Sequence, residues 1–233
     1  YKKAISIEPD SASAHNNLGK VYTDIGQPIQ AIQSFERALK FEPNSADAYT
    51  NMGNALQDVG DLPASIESYQ EALNIKSDHA FALNNKSLAH LHLNDFAAGW
   101  PLYEWRWKST QFNSKILQTS KPVWVSGKRQ RVLLWGEQGV GDEIMFASLI
   151  EELYSLSTKL IVQTDKRLLP LFRRSFPEDI TFISIRDHVS EDEYDAHIPM
   201  GSLPQYFRSN IESFRATSKG WLIPDKEKVA SLR

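Results

Sequence analysis

Apolar residues follow two rhythms along this chain. Up to about residue 107 they recur every three or four positions, the period of an amphipathic helix. From residue 131 onward they come as short continuous runs separated by polar stretches of helical period. The first rhythm predicts paired helices over residues 12–25 and 28–41, then 46–59 and 63–75. Gly26 and Gly60 stop the first member of each pair, and Pro28 and Pro63 lie near the start of the second, where a missing N–H costs little. The second rhythm predicts a strand over 132–135, a helix over 143–157, a strand over 160–164, a helix over 166–176, and strands over 180–185 and 194–198. Such a βαβαβ order implies a mostly parallel sheet with right-handed crossovers.

Shifting the sequence against itself by 34 residues aligns Leu18-Gly19 with Met52-Gly53, Tyr22 with Leu56, Ala31 with Ser65, Phe35 with Tyr69 and Ala38 with Ala72. A third unit over 80–107 keeps Leu83, Asn84, Asn85 and Tyr103, but Lys86 and Ser87 stand where the other units have Leu-Gly or Met-Gly. It reads as a degraded terminal repeat. Tyr1, Ala4 and Pro9 are in register with Phe35, Ala38 and Pro43, so at least one more repeat is expected before Tyr1. These apolar and small positions resemble those of the tetratricopeptide repeat. Stacked repeats share one core, and their first helices line a concave groove. Asn17, Asn51 and Asn85 recur on those first helices, with Asn16 and Asn84 beside two of them. A carboxamide both donates and accepts, so this ladder is a candidate site for the backbone of an extended peptide or protein segment. A purely structural or solvated role is the alternative. Asp24 and Asp58, which also recur, read as a solvated face.

Phe96, Trp100, Tyr103 and Trp107 share one face of the last predicted helix, with Trp105 on another. The stripe reads as a face on which the helices dock against the next domain, a carbohydrate platform being the second possibility. Residues 108–130 have weak periodicity and read as a linker, within which Trp124 is expected to pack. The domains expected are therefore repeats over 1–107, a linker over 108–130 and an α/β domain over 131–233.

The stretch 131–147 is where chemistry concentrates. An apolar strand runs into Gly136, Gly139 and Gly141, and glycine permits positive φ and close approach of a ligand to the backbone. No Gly-Lys-Ser/Thr follows, and the third glycine of the dinucleotide fingerprint is missing. Glu137, Asp142 and Glu143 make the turn acidic. Gln138 and the backbone N–H groups of Gly139 and Gly141 are candidate substrate contacts. Asp142 directly precedes the predicted helix, which makes it a candidate N-cap as well as a candidate base. Ligands of parallel sheets bind beyond the carboxyl ends of the strands, which adds Thr164-Asp165, the 186–188 turn and the 197–202 segment. His197 is a candidate contact there, His188 a weaker one, and Ser202 a candidate cap for a short helix.

Composition adjusts this little. The 233 residues carry 26 basic and 29 acidic side chains, a net charge of −3 that gives no electrostatic case for nucleic acid. The absence of cysteine excludes a disulfide framework and thiolate metal sites, and no metal is expected. With no apolar run long enough for a bilayer and no signal segment, a cytoplasmic protein without a membrane span is expected. Oligomeric state is not encoded in anything legible.

Taken together, repeats ending in Gly99-Trp100-x-x-Tyr103-Glu104-Trp105-Arg106, then Trp135-Gly136-Glu137-Gln138-Gly139-x-Gly141-Asp142, then Ser202-Leu203-Pro204, resemble bacterial tetratricopeptide-repeat proteins with a glycosyltransferase domain. These are similar to the heptosyltransferases and more distantly to the O-linked N-acetylglucosamine transferases. The resemblance implies a GT-B fold of two Rossmann-like halves, with this chain supplying the first, acceptor-side half. It implies that Asp142 matches the family's base and that a nucleotide-sugar donor binds mainly to the other half; no other cofactor is implied. The fragment alone is then expected to be inactive. Ser148 departs from the family, which commonly has an arginine there. The alternative is a peptide-binding scaffold whose α/β domain has no chemistry.

Overall fold

The computed structural model describes residues 1–110, 112, 114–214 and 220–231, without the side chains of Lys2 and Ala4. The expected register of the Ala4 side chain and the expected domain end at Arg233 lie outside the described residues. The chain divides into two compact units, Tyr1–Phe112 and Asn113–Arg233.

The first unit is a stack of helices: α1 (Lys2–Ile7), α2 (Ala12–Asp24), α3 (Pro28–Phe41), α4 (Ala46–Asp58), α5 (Leu62–Ile75), α6 (Ala80–His92) and α7 (Phe96–Tyr103). Each packs on the next, and the first helices α2, α4 and α6 also touch in turn, as in a solenoid. The 34-residue period reaches into the backbone. Gly26 and Gly60 have φ of 71° and 83°, and Asn94, one period later, has φ of 59°. Asparagine tolerates the left-handed region better than other non-glycine residues, so the third turn survives without glycine. Ser45 and His79 cap α4 and α6, accepting the N–H of Ala48 and Ala82, while Asp61 and Asp95 cap α5 and α7.

The third repeat departs from the other two. In the first two, the Phe35 and Tyr69 rings fill the space a Cβ on Gly19 and Gly53 would occupy, and both rings are fully buried. Ser87 carries that Cβ, and its partner Tyr103 is only half-buried. The last helix, which contains Pro101, ends at Tyr103 and gives way to a 3-10 turn, Glu104–Lys108. Trp107 therefore leaves the predicted helical stripe. Arg106, 1% exposed, closes this end. Its guanidinium lies 4.6 Å from the Tyr103 ring centroid and 4.8 Å from that of Trp107, and is paired with Glu104 at 2.8 Å.

The second unit is built on four parallel strands, β1 (Arg131–Trp135), β2 (Lys159–Thr164), β3 (Thr181–Ser184) and β4 (Ala196–Pro199), in the order β3-β2-β1-β4. β1 is nearly all apolar, β2 carries Leu160, Ile161 and Val162, and both strands are almost wholly buried, as strands covered on both faces must be. Between them lie α8 (Val140–Ala147) and α9 (Ile150–Ser155), and α10 (Leu169–Ser175) follows β2. The single helix predicted over 143–157 is thus two. The Ser148 hydroxyl donates to the Met145 carbonyl at 2.7 Å, and the N–H groups of Ser148 and Leu149 bond three residues back, which breaks the ladder. The helix predicted from 166 starts later because Asp165 wraps the Arg167 backbone and side chain into a turn, and Pro170 fits only a first turn. After β4 comes the short helix α11 (Pro204–Phe207), whose N-cap is Leu203; Ser202 does not cap it. The last described helix is α12 (Lys226–Ser231).

Within the stretch 108–130, read as a linker, residues 122–124 run along β4. His197 N–H donates to the Pro122 carbonyl and Trp124 N–H to the His197 carbonyl, a parallel bridge beyond the edge of the sheet. Trp124 is fully buried against Tyr206 and Phe207. Glu191 holds the approach, accepting from Ser120 N–H and Thr119 Oγ1, each at 2.7 Å, and from Ser120 Oγ. No helix among the described residues is long and apolar enough to cross a membrane.

Candidate functional site

The first candidate surface lies along α2, α4 and α6. Asn17, Asn51 and Asn85 are all half-exposed. Asn51 Nδ2 donates to Asn16 Oδ1 at 3.2 Å, and Asn85 Nδ2 donates to Asn54 Oδ1 at 2.8 Å. Two of the three recurring carboxamides therefore bridge neighbouring first helices through one N–H each. Their oxygens and second N–H groups are not engaged in these bridges. The Asn17 side chain makes no hydrogen bond among the described residues. Two participants escaped the sequence reading: Asn54, which has no counterpart 34 residues away, and the Tyr69 hydroxyl, whose ring reads only as an apolar repeat position and which lies 2.8 Å from Asn54 Oδ1 and 2.6 Å from Gln57 Oε1. Burial, and secondarily the charge of Asp58, push the Tyr69 phenol far above its ordinary pKa, so it stays a donor. Asp24 and Asp58 are exposed.

The second candidate is the crevice at the carboxyl end of β1, where the sheet order reverses direction, the usual ligand position in such sheets. None of its glycines has positive φ. Gly136 and Gly201 instead leave room for carboxyls: a Cβ on Gly136 would lie 2.7 Å from the Glu143 carboxyl, and one on Gly201 would lie 2.0 Å from Glu137 Oε1. Both glutamates are buried. Gly139 and Gly141 are exposed, and a Cβ on Gly141 would meet nothing within 4 Å. The helix starts three residues earlier than predicted, with Gly139 as N-cap. Asp142 is therefore not the N-cap: it occupies the third helical position, where Oδ2 accepts the Gly139 N–H at 3.2 Å. Its carboxylate is half-exposed, as is Gln138, whose Nε2 lies 3.3 Å from Glu137 Oε1.

His197 is 7% exposed on β4, opposite Leu133. Its Nδ1 accepts the Trp135 indole N–H at 3.1 Å, and burial lowers its pKa against a backbone hydrogen bond to Lys121. The ring is a neutral strut tying β1 to the 121–124 segment. At the end of β2, Arg167 grips Asp165 through Nε and Nη2, both at 2.9 Å, and holds that carboxyl well below the usual range. Asp187 accepts the Ser184 N–H, closing its own turn, and His188 is exposed. The crevice thus offers a half-exposed carboxylate, a carboxamide and an unobstructed glycine backbone, with two buried glutamates behind them. That arrangement disfavours a bare phosphate and suits hydroxyl groups.

Residues 12–45 and 34–67 match family models of the tetratricopeptide repeat. The chain is 28% identical over 158 residues to Protein FlbA of Caulobacter vibrioides, an overlap of 60% of this chain and 26% of that protein. The chain thus spans about a quarter of that relative's length. Among solved structures, MamA is 28% identical, with a TM-score of 0.43, over 45% of this chain and 61% of that one. The complex of the yeast Sti1 TPR2AB domain with pHSP90 is 22% identical, with a TM-score of 0.41, over 48% and 45%. The helical unit is a tetratricopeptide-repeat solenoid, and the second unit carries a small parallel four-stranded sheet.

Proposed function

We propose that the helical unit is a scaffold for an extended peptide or an unstructured stretch of a partner protein, held along α2, α4 and α6. The observation that supports this is the row of carboxamides cross-linked by the Asn51–Asn16 and Asn85–Asn54 bonds. Such a row is held in place before a ligand arrives, so little side-chain entropy remains to be lost on binding. It pairs with a backbone and is therefore tolerant of sequence. The test is selection of peptides from a random display library, followed by fluorescence anisotropy. Replacing Asn17, Asn51 and Asn85 together with alanine lowers affinity at least tenfold; unchanged affinity removes the reading.

A second reading concerns the α/β unit: the acceptor-side part of a sugar transferase. It is favoured by the half-exposed Asp142 at the end of β1, where the order of a parallel sheet reverses. In this reading Asp142 takes the proton of an acceptor hydroxyl, and Gln138 with the backbone N–H of Gly141 orients it, the Gly139 N–H being held by Asp142 itself. The sugar comes from a nucleotide-sugar donor bound elsewhere in the longer protein, and the helical unit presents the acceptor. Asp142→Asn in that longer protein then abolishes transfer with little change in melting temperature. Retained transfer, with a lowered melting temperature, makes Asp142 a capping residue only.

A further inference from the structure

Glu143 is one residue beyond Asp142 and points the other way, into the protein, where it is 3% exposed. Its Oε2 accepts the Thr164 hydroxyl and, at 2.9 Å, the Asp165 N–H. A side chain in the first half of α8 is thereby bonded to the last residue of β2 and to the residue after it. Gly136, which follows β1, supplies the space: a Cβ there would stand 2.7 Å from both the carboxyl carbon and Oε1 of Glu143. The ends of two strands and the start of one helix converge on a single carboxyl.

We propose that Glu143 is a positioning residue: its carboxyl clamps the start of α8 to the end of β2 and so sets where Asp142 stands at the mouth of the crevice. The role of Asp142 rests on the transferase reading, but the clamp does not. The Glu143 N–H donates to the Gly139 carbonyl at 3.0 Å and so holds the loop to the start of α8, while the Glu143 carboxyl ties that start to the end of β2. Burial raises the Glu143 carboxyl above its ordinary pKa, opposed by the hydrogen bonds from Thr164 and Asp165. The charges that bear on it are Asp165, which raises it further, and Arg167, which lowers it. A raised folded-state pKa means that the clamp's stabilisation is complete below the ordinary glutamate range and declines as pH rises through the raised value.

The Gly139 amide proton reports the geometry, because it donates to Asp142 Oδ2 and its NMR shift senses the group that accepts it. In the chain as it stands, the Gly139 shift is expected to respond to Asp142→Asn. Glu143→Ala and Gly136→Ala each abolish that response, and the double variant loses nothing more, since both remove one clamp. Glu143→Gln, neutral and still an acceptor, restores it; should either alanine variant fail to fold, Glu143→Gln and Thr164→Val carry the test, the latter halving the response. A full Gly139 response in Glu143→Ala, or in Thr164→Val where the alanine variants do not fold, overturns the proposal. None of these readouts involves transfer, so retained transfer in Asp142→Asn would remove Asp142 as the base and leave the clamp to be judged by its own result.

Discussion

The Tyr69 ring fills the space in which any Cβ at Gly53 would have to lie, 2.5 Å from Cε1. Phe35 has the same relation to Gly19, again at 2.5 Å. The glycine of each of the first two repeats is therefore a socket for an aromatic residue of the next helix, and both helices can approach closely only because the socket is empty. Gly53→Ala must push a fully buried ring aside. Overpacking of that kind costs about 1–3 kcal/mol, of which the better helix propensity of alanine returns up to about 1. A lowered urea midpoint with unchanged slope is the expected result.

Ser87 occupies the same socket in the third repeat and gives the opposite prediction. Its hydroxyl is fully buried without a hydrogen-bond partner. A buried unsatisfied hydroxyl costs about 1–3 kcal/mol, and alanine is also the better helix former. Ser87→Ala should raise stability by about 1 kcal/mol or more in chemical denaturation.

Tyr69→Phe keeps the ring in its socket and removes only the donor shared by Asn54 and Gln57. The loss should be about 1 kcal/mol, the usual net value of a buried hydrogen bond. Because Asn54 Oδ1 also receives Asn85, the same variant should broaden the Asn85 side-chain amide resonances, whereas those of Asn51, which bonds Asn16, should not change.

The repeats were legible in the sequence because each signal is local and recurs: Gly26 and Gly60, Phe35 and Tyr69, the three asparagines. The alternation from residue 131 made the parallel strands legible for the same reason, since residues 132–135 and 160–162 are continuous apolar runs. Side-chain chemistry that joins distant residues was not legible. Nothing near Gly136 or Gly201 in sequence says that the missing Cβ atoms make room for Glu143 and Glu137 rather than for a ligand. The pairing of residues 122–124 with β4 joins segments more than 70 residues apart in weakly patterned sequence. The break at Ser148 depends on which way one hydroxyl turns, and the start of α8 at Val140 on a glycine N-cap, which propensity alone does not favour over Asp142.

Acid should release the 119–124 segment before it unfolds the sheet. Hydrogen bonds from Ser120 and Thr119 hold Glu191 down to about 2, and Arg131 holds Asp195 down to about 2. Both folded-state values lie below the unfolded ones, so their stabilisation is present above the ordinary carboxylate range and is lost as pH falls toward 2. Amide exchange at residues 119–124 should accelerate in that window ahead of β1. Glu191→Gln should show the faster exchange already at neutral pH.

Gly201→Ala and Gly141→Ala separate glycines needed by the fold from a glycine free for a ligand. A Cβ at 201 would lie 2.0 Å from Glu137 Oε1, and Glu137 is only 6% exposed, so its carboxyl has little room to retreat. Displacing a buried carboxyl from its partners costs on the order of 2–3 kcal/mol, and Gly201→Ala should lower the melting temperature by several degrees. At Gly141 nothing lies within 4 Å and φ is not positive, so alanine should be tolerated and should stabilise the first turn of α8 by about 0.5–1 kcal/mol. A methyl group there has only a bound molecule to meet. Loss of acceptor binding in Gly141→Ala at raised stability would mean that the acceptor lies against this loop; binding equal to that of the parent chain would place it elsewhere.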